Sequence, residues 1–209
     1  MAIADGAPRT RGSTVQSTMA FVQQEYGAVV ASAIEAALAP LDRERLRVVT
    51  PTDEVPYGLL VRLWQAADTV LQRHADAGAT WAEQAGAESI GSYGVQLYGG
   101  ILRKPTPREF LTQSISLFRL YYQPGDMEVV EDSAGRAVLR LEGFDPVTPL
   151  FCRRLSGGLH RAIAFAGGEQ PTVRHVRCAL EGDAFCEWAL SWQPATPPED
   201  APAGARRAP

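Results

Sequence analysis

Apolar positions along the chain keep a helical period up to about residue 122 and then alternate, so the sequence divides into two differently patterned halves. In STMAFVQQEYGAVVASAIEAAL, the set Phe21, Val22, Val29, Val30, Ala33, Ile34, Ala37 and Leu38 recurs at helical spacing. A break is expected at Gly27, and Pro40 ends the run. A short helical piece covers Leu41 to Val49, with Asp42 as its cap. PYGLLVRLWQAADTVLQRH carries an amphipathic stripe of Leu59, Leu60, Leu63, Trp64, Ala67, Val70 and Leu71. The next stretch, ATWAEQAGAESIGSYGVQLYGGIL, is apolar at Trp81, Ala85, Ile90, Tyr93, Leu97 and Ile101. It contains Gly86, Gly91 and Gly94, each costing roughly 1 kcal/mol of helix propensity, so close packing of another element is expected there. A further helix is predicted over Arg108 to Tyr122.

The alternating half begins with DMEVVED and RAVLRLEGF on either side of Ser133-Ala134-Gly135, a hairpin signature. Asp145-Pro146 reads as a cap and first helical position, opening a helix that Gly167-Gly168 closes. PTVRHVRCAL and FCEWALSWQ then form two strands around Glu181-Gly182-Asp183-Ala184. The predicted class is α+β: N-terminal helices followed by a β-β-α-β-β unit with an antiparallel four-stranded sheet.

Composition changes this picture only at the ends. Residues 1–14 are small and polar without a period, and 194–209 are rich in Pro and Ala, so both are expected as disordered tails around one domain over 15–193. No apolar run approaches a membrane span, and no basic-then-apolar leader opens the chain, so a cytoplasmic protein with reduced thiols is expected. A net charge of −4 and the lack of a basic, aromatic-interleaved stripe exclude nucleic acid as main partner.

The segments YYQPGDMEVVED and AVLRLEGF, the helix carrying Cys152, and VRCALEGDAFCEWALSW together resemble the 4-vinyl reductase domain family. That family is related in fold to heme nitric-oxide-binding domains and to small TRAPP subunits. Residues 15–193 also resemble a myxobacterial family of similar length. The most specific part is C-x-L-x-G-D-x-x-C-x-W; the first hundred residues match only in pattern. The resemblance implies a zinc ion beside a ligand pocket, held by a helix cysteine, an acidic residue, a cysteine three positions later and another eight beyond. Cys152, Cys178 and Cys186 stand at the matching positions, with His175 in place of the acidic ligand. Imidazole is a normal zinc ligand, and four protein ligands would make the ion structural.

The residues alone leave the cysteines open between core filler, a redox pair and ligands. Free cysteine behaves as a small buried hydrophobe. Cys178 and Cys186 flank a turn, and Cys152 lies on the helix between the two hairpins. The obstacle is His175 and Cys178, whose odd separation puts them on opposite faces of a regular strand. Only a bulge or bend can bring both to one ion.

The aromatics read as core by pattern, but the resemblance implies a small apolar or aromatic ligand in a helix–sheet cavity, with Tyr93, Tyr98, Phe118, Tyr122, His160 and Trp188 as candidate lining. His160, eight residues after Cys152, is placed on the same helix face and is the candidate for an iron ligand, but heme is not expected. No G-x-S-x-G, P-loop, G-x-G-x-x-G or H-E-x-x-H pattern supports catalysis. The expected function is a non-enzymatic sensor with a structural zinc, signalling through a partner protein or a homodimer. The alternatives are a protein–protein adaptor with a filled cavity and a heme-binding gas sensor.

Overall fold

In the computed structural model, residues 7–73, 80–90 and 106–194 are described. They run in the order β1 (Arg9–Arg11), α1 (Gly12–Ala37), α2 (Pro40–Val48), β2 (Glu54–Pro56), α3 (Tyr57–Leu71), α4 (Trp81–Ile90), α5 (Pro107–Tyr121), β3 (Tyr122–Gln123), β4 (Asp126–Ser133), β5 (Arg136–Glu142), α6 (Pro149–Phe165), β6 (Gly168–Arg177) and β7 (Cys186–Pro194). A small sheet has the order β2-β1-β3, and a four-stranded antiparallel sheet has the order β4-β5-β7-β6. This is the α+β arrangement that the change of period predicts.

Local chemistry explains most boundaries. Gly27 interrupts α1 at φ 84°, a conformation that a side chain disfavours. Beyond this kink the apolar stripe is rotated: Val30, Ala31, Ile34 and Leu38 are buried, whereas Val29, Ala33 and Ala37, expected on the inner face, are exposed. Three boundaries differ from expectation. α2 begins at Pro40 behind Ala39, so Asp42 lies inside its first turn and pairs with Arg62 instead of capping the helix. β1 lies inside the segment read as a tail, because its backbone pairs with β2 on one side and β3 on the other, a non-local gain no local pattern reveals. Asp145-Pro146 does not start α6; Asp145 Oδ1 accepts from the Val147 N–H at 2.9 Å, and Val147 adopts φ 60°. The cap is instead Thr148, ahead of Pro149, whose hydroxyl accepts from the Leu150 N–H.

α6 organises the site because it packs on two partners at once. Against α4 the backbones nearly touch: a Cβ on Gly86 would lie 1.9 Å from the Arg154 carbonyl oxygen, and one on Gly157 would lie 1.9 Å from that of Glu83. Gly86 therefore marks the close approach that the glycine-rich pattern predicts, while Gly91 and Gly94 lie outside the described residues. Arg153 clamps this crossing with a two-pronged ion pair to Glu83, at 2.7 and 2.8 Å. Against the sheet, α6 lies over β7, whose Cys186, Trp188 and Leu190 are buried, as are Ala137, Leu139 and Leu141 of the neighbouring β5. Trp188 Nε1 donates to Ser156 Oγ of α6 at 3.0 Å, fixing the helix over the strand.

Candidate metal centre

The β6–β7 turn carries two of the three cysteines and is built by hydrogen bonds around Cys178. Its carbonyl accepts from the N–H groups of Glu181 and Asp183, and its own N–H donates to Asp183 Oδ2 at 2.8 Å. Gly182 takes φ 97°, which lets the chain reverse after the single 3-10 turn Ala179–Glu181. The Ala179 N–H then points at Cys186 Sγ, 3.4 Å away.

The register of β6 against β7 shifts between His175 and Arg177. This is the irregularity that an odd His175–Cys178 separation requires. One ligand atom each from Cys152, His175, Cys178 and Cys186 can be chosen so that all four lie within 4.8 Å of one another. All three cysteines are free thiols and buried. His175 stacks on Trp188, with ring centroids 4.6 Å apart and planes 19° apart, and its Nε2 is buried without a hydrogen-bond partner. An orphaned ring nitrogen among three thiols is the donor chemistry of a tetrahedral zinc site of the Cys3His class.

The electrostatics of the cluster are those of thiols crowded together. Cys186 is pushed down to about 5, first because the Cys152 thiol donates to it, then through the Ala179 N–H and His175, against the effect of burial. Cys152 is pushed far up, by that same donated bond and by burial. Burial also raises Cys178. The opposite directions at Cys152 and Cys186 show two thiols sharing one proton, and a bound cation would hold all three sulfurs as thiolates.

The other expected site residues divide. Tyr93 and Tyr98 lie outside the described residues. Phe118 and Tyr122 meet with centroids 5.4 Å apart and pack with Phe144, Phe151 and Tyr57 in one interlocked ring cluster. His160 does not share the face of Cys152: it is exposed, because eight residues of helix leave an offset of about 80°. Sequence reasoning passed over Arg154, also on α6. It is 6% exposed, with its guanidinium carbon 5.0 Å from the Trp64 ring centroid and Nη1 without a hydrogen-bond partner. Burial lowers its pKa to about 10, although the facing Tyr122 and Tyr57 hydroxyls oppose that shift. Burial likewise holds those two tyrosines in the neutral form, with Tyr122 pushed up to about 12. The signal was available: Phe151, Arg154 and Gly158 share one otherwise apolar helix face.

No family model matches this chain, and no curated protein does. Solved structures do. An H-NOX (heme nitric oxide/oxygen binding) protein from S. oneidensis in the Fe(II) state superposes with TM-score 0.69 at 16% identity, over 89% of this chain and 97% of that one. An Fe(II) unliganded H-NOX protein from K. algicida matches with TM-score 0.65 at 12% identity, over 88% and 96%. An oxygen-binding H-NOX domain related to soluble guanylate cyclases matches with TM-score 0.64 at 13% identity, over 91% and 99%. The chain has the H-NOX fold. Two expectations are corrected by these matches. Nothing supports the resemblance to 4-vinyl reductase domains, whose short hairpin motif was too small to separate families sharing a fold. The exclusion of heme also falls, because the neighbours of this fold are heme proteins. None of the helices among the described residues is long and apolar enough to cross a membrane.

Proposed function

We propose that this chain is a non-enzymatic sensor module of H-NOX fold, whose helix–sheet core holds the sensed group and whose Cys152, His175, Cys178 and Cys186 hold one structural metal ion. The observation that carries the metal is the convergence of four soft donors within 4.8 Å, across a shift in the β6–β7 register. Three thiolates and an imidazole select zinc-like ions and leave no open coordination position, so the ion braces α6 against the β6–β7 turn and does no chemistry.

For the sensed group, the fold neighbours favour heme, as a gas sensor would use, over a free organic ligand. Among the described residues no histidine is directed into the core to ligate iron: His160 is exposed and His175 sits with the thiols, while His74 lies outside them. The described residues therefore do not by themselves make an iron site. Adding hemin to the purified full chain is the test. A Soret band displaced from that of free hemin, and displaced again by nitric oxide, is the expected result. A spectrum identical to free hemin removes heme and leaves the apolar organic ligand.

The signal passes to a partner protein or across a homodimer. Val29, Leu41 and Val48, at 84, 55 and 72% exposure on α1 and α2, are the apolar surface that supports such an interface. Sedimentation velocity of the full chain and of Val29→Glu tests the homodimer: a dimer that the variant makes monomeric is expected, and a monomeric parent chain contradicts it.

A further inference from the structure

Arg154 is the one charged side chain that α6 carries into the apolar core, and its surroundings leave it unfinished. Trp64 presents a ring face to the guanidinium, and Tyr57 and Tyr122 are the polar groups nearest its charge. Yet the Tyr57 hydroxyl donates to the Pro146 carbonyl at 2.8 Å, and Trp64 Nε1 donates to Thr18 Oγ1 at 3.2 Å. These contacts satisfy the neighbours and leave Nη1 alone. No carboxylate among the described residues pairs with Arg154. Arginine keeps its charge in proteins, and buried charges are otherwise found paired. An ionised guanidinium walled by aromatic rings is thus half of an ion pair whose other half is not a described residue.

We propose that Arg154 binds the carboxylate of a ligand with an apolar or aromatic body, held in the core beside Trp64, Tyr57 and Tyr122. The planar fork of a guanidinium matches a carboxylate with two parallel N–H bonds, and ring faces match an apolar body. A single negative charge suits a single arginine; a phosphate dianion would call for a second cation, and among the described residues none adjoins this one. The proposal rests on the sensor reading for the ligand's location, and it is independent of the metal. Two sources share this chemistry: a small organic acid, and the propionates of heme.

The experiment is thermal melting of the full chain and of Arg154→Met, each alone and with benzoate, with its uncharged counterpart benzamide, or with hemin. Benzoate or hemin raises the melting temperature of the parent chain by roughly 5 °C at a hundredfold excess over the dissociation constant, while benzamide leaves it unchanged. A shift with benzoate alone identifies a small acid, and a shift with hemin alone identifies propionates. Arg154→Met, freed of an unpaired charge, melts no lower than the parent without additive and responds to neither acid. If the methionine variant does not fold, Arg154→Gln serves for the same comparison. Equal shifts with benzoate and benzamide overturn the carboxylate while leaving a ligand-binding core. No shift with either acid, or a shift kept in Arg154→Met, overturns the proposal.

Discussion

Cys152 and Arg154 are two residues apart on α6, about 200° around the helix, and they enter opposite environments. Cys152 faces the sheet, where His175, Cys178 and Cys186 complete a donor set from the chain itself. Arg154 faces α3, where the described residues supply ring faces and no counter-charge. The first environment gathers four donor atoms within 4.8 Å, which suits the proposed brace. The second holds a buried guanidinium whose Nη1 has no hydrogen-bond partner among the described residues, which suits the proposed ligand contact. The two faces of one helix therefore differ in what the described residues supply, and that contrast can be broken from either side.

The largest effect is expected at the closed side. Cys186→Ser, or Cys152→Ser, removes a ligand and with it the binding energy that metal contributes to folding, so stability falls by several kcal/mol. A strong chelator lowers the melting temperature of the parent chain and leaves Cys186→Ser unmoved. A chelator without effect on the parent would mean that the thiols are packing only. Next comes the α4–α6 crossing that carries both sites. Gly157→Ala drives a methyl group into the Glu83 carbonyl and costs about 3 kcal/mol, read as a lower urea midpoint with the slope unchanged.

The smallest effect lies far from both sites. Asp42 of α2 accepts two bonds from Arg62, at 2.6 and 3.0 Å, and that contact holds its carboxyl below the usual range. A depressed carboxylate contributes stability above the ordinary carboxyl pKa and loses it as pH falls through the lowered value. With Arg62 half exposed the pair is screened, so Asp42→Asn costs about 1 kcal/mol at pH 7 and nothing once the parent carboxyl is protonated. Urea midpoints of the two proteins should converge on acidification; a gap that persists would assign the loss to packing.

The contrast within α6 also marks what a sequence discloses. The convergence of the four side chains was legible: cysteine is scarce here, its three positions stand out, and a shared site for His175 and Cys178 needs a break in register such as the one between β6 and β7. Both hairpins and the Gly27 kink were legible too, because turn residues and period act locally. Arg154 was passed over because Arg153 beside it pairs with Glu83 at the helix crossing, and in sequence the two arginines look alike. Which of two adjacent charges turns inward depends on the rotation of α6, set by Gly86 and Gly157 against α4. β1 was missed for a related reason, since three residues carry no period and gain their order from distant strands. The family was misread because the hairpin motif reports the turn and its thiols, whereas the fold depends on the layout of the whole chain.

Metal content is the measurement that meets the central claim most directly. The full chain, purified without added metal or affinity resin that sheds ions, is analysed by elemental mass spectrometry beside Cys186→Ser. One zinc per parent chain and far less in the variant is the predicted result. A parent chain free of metal, and still free after exposure to zinc under reducing conditions, contradicts the account and returns the cysteines to the core.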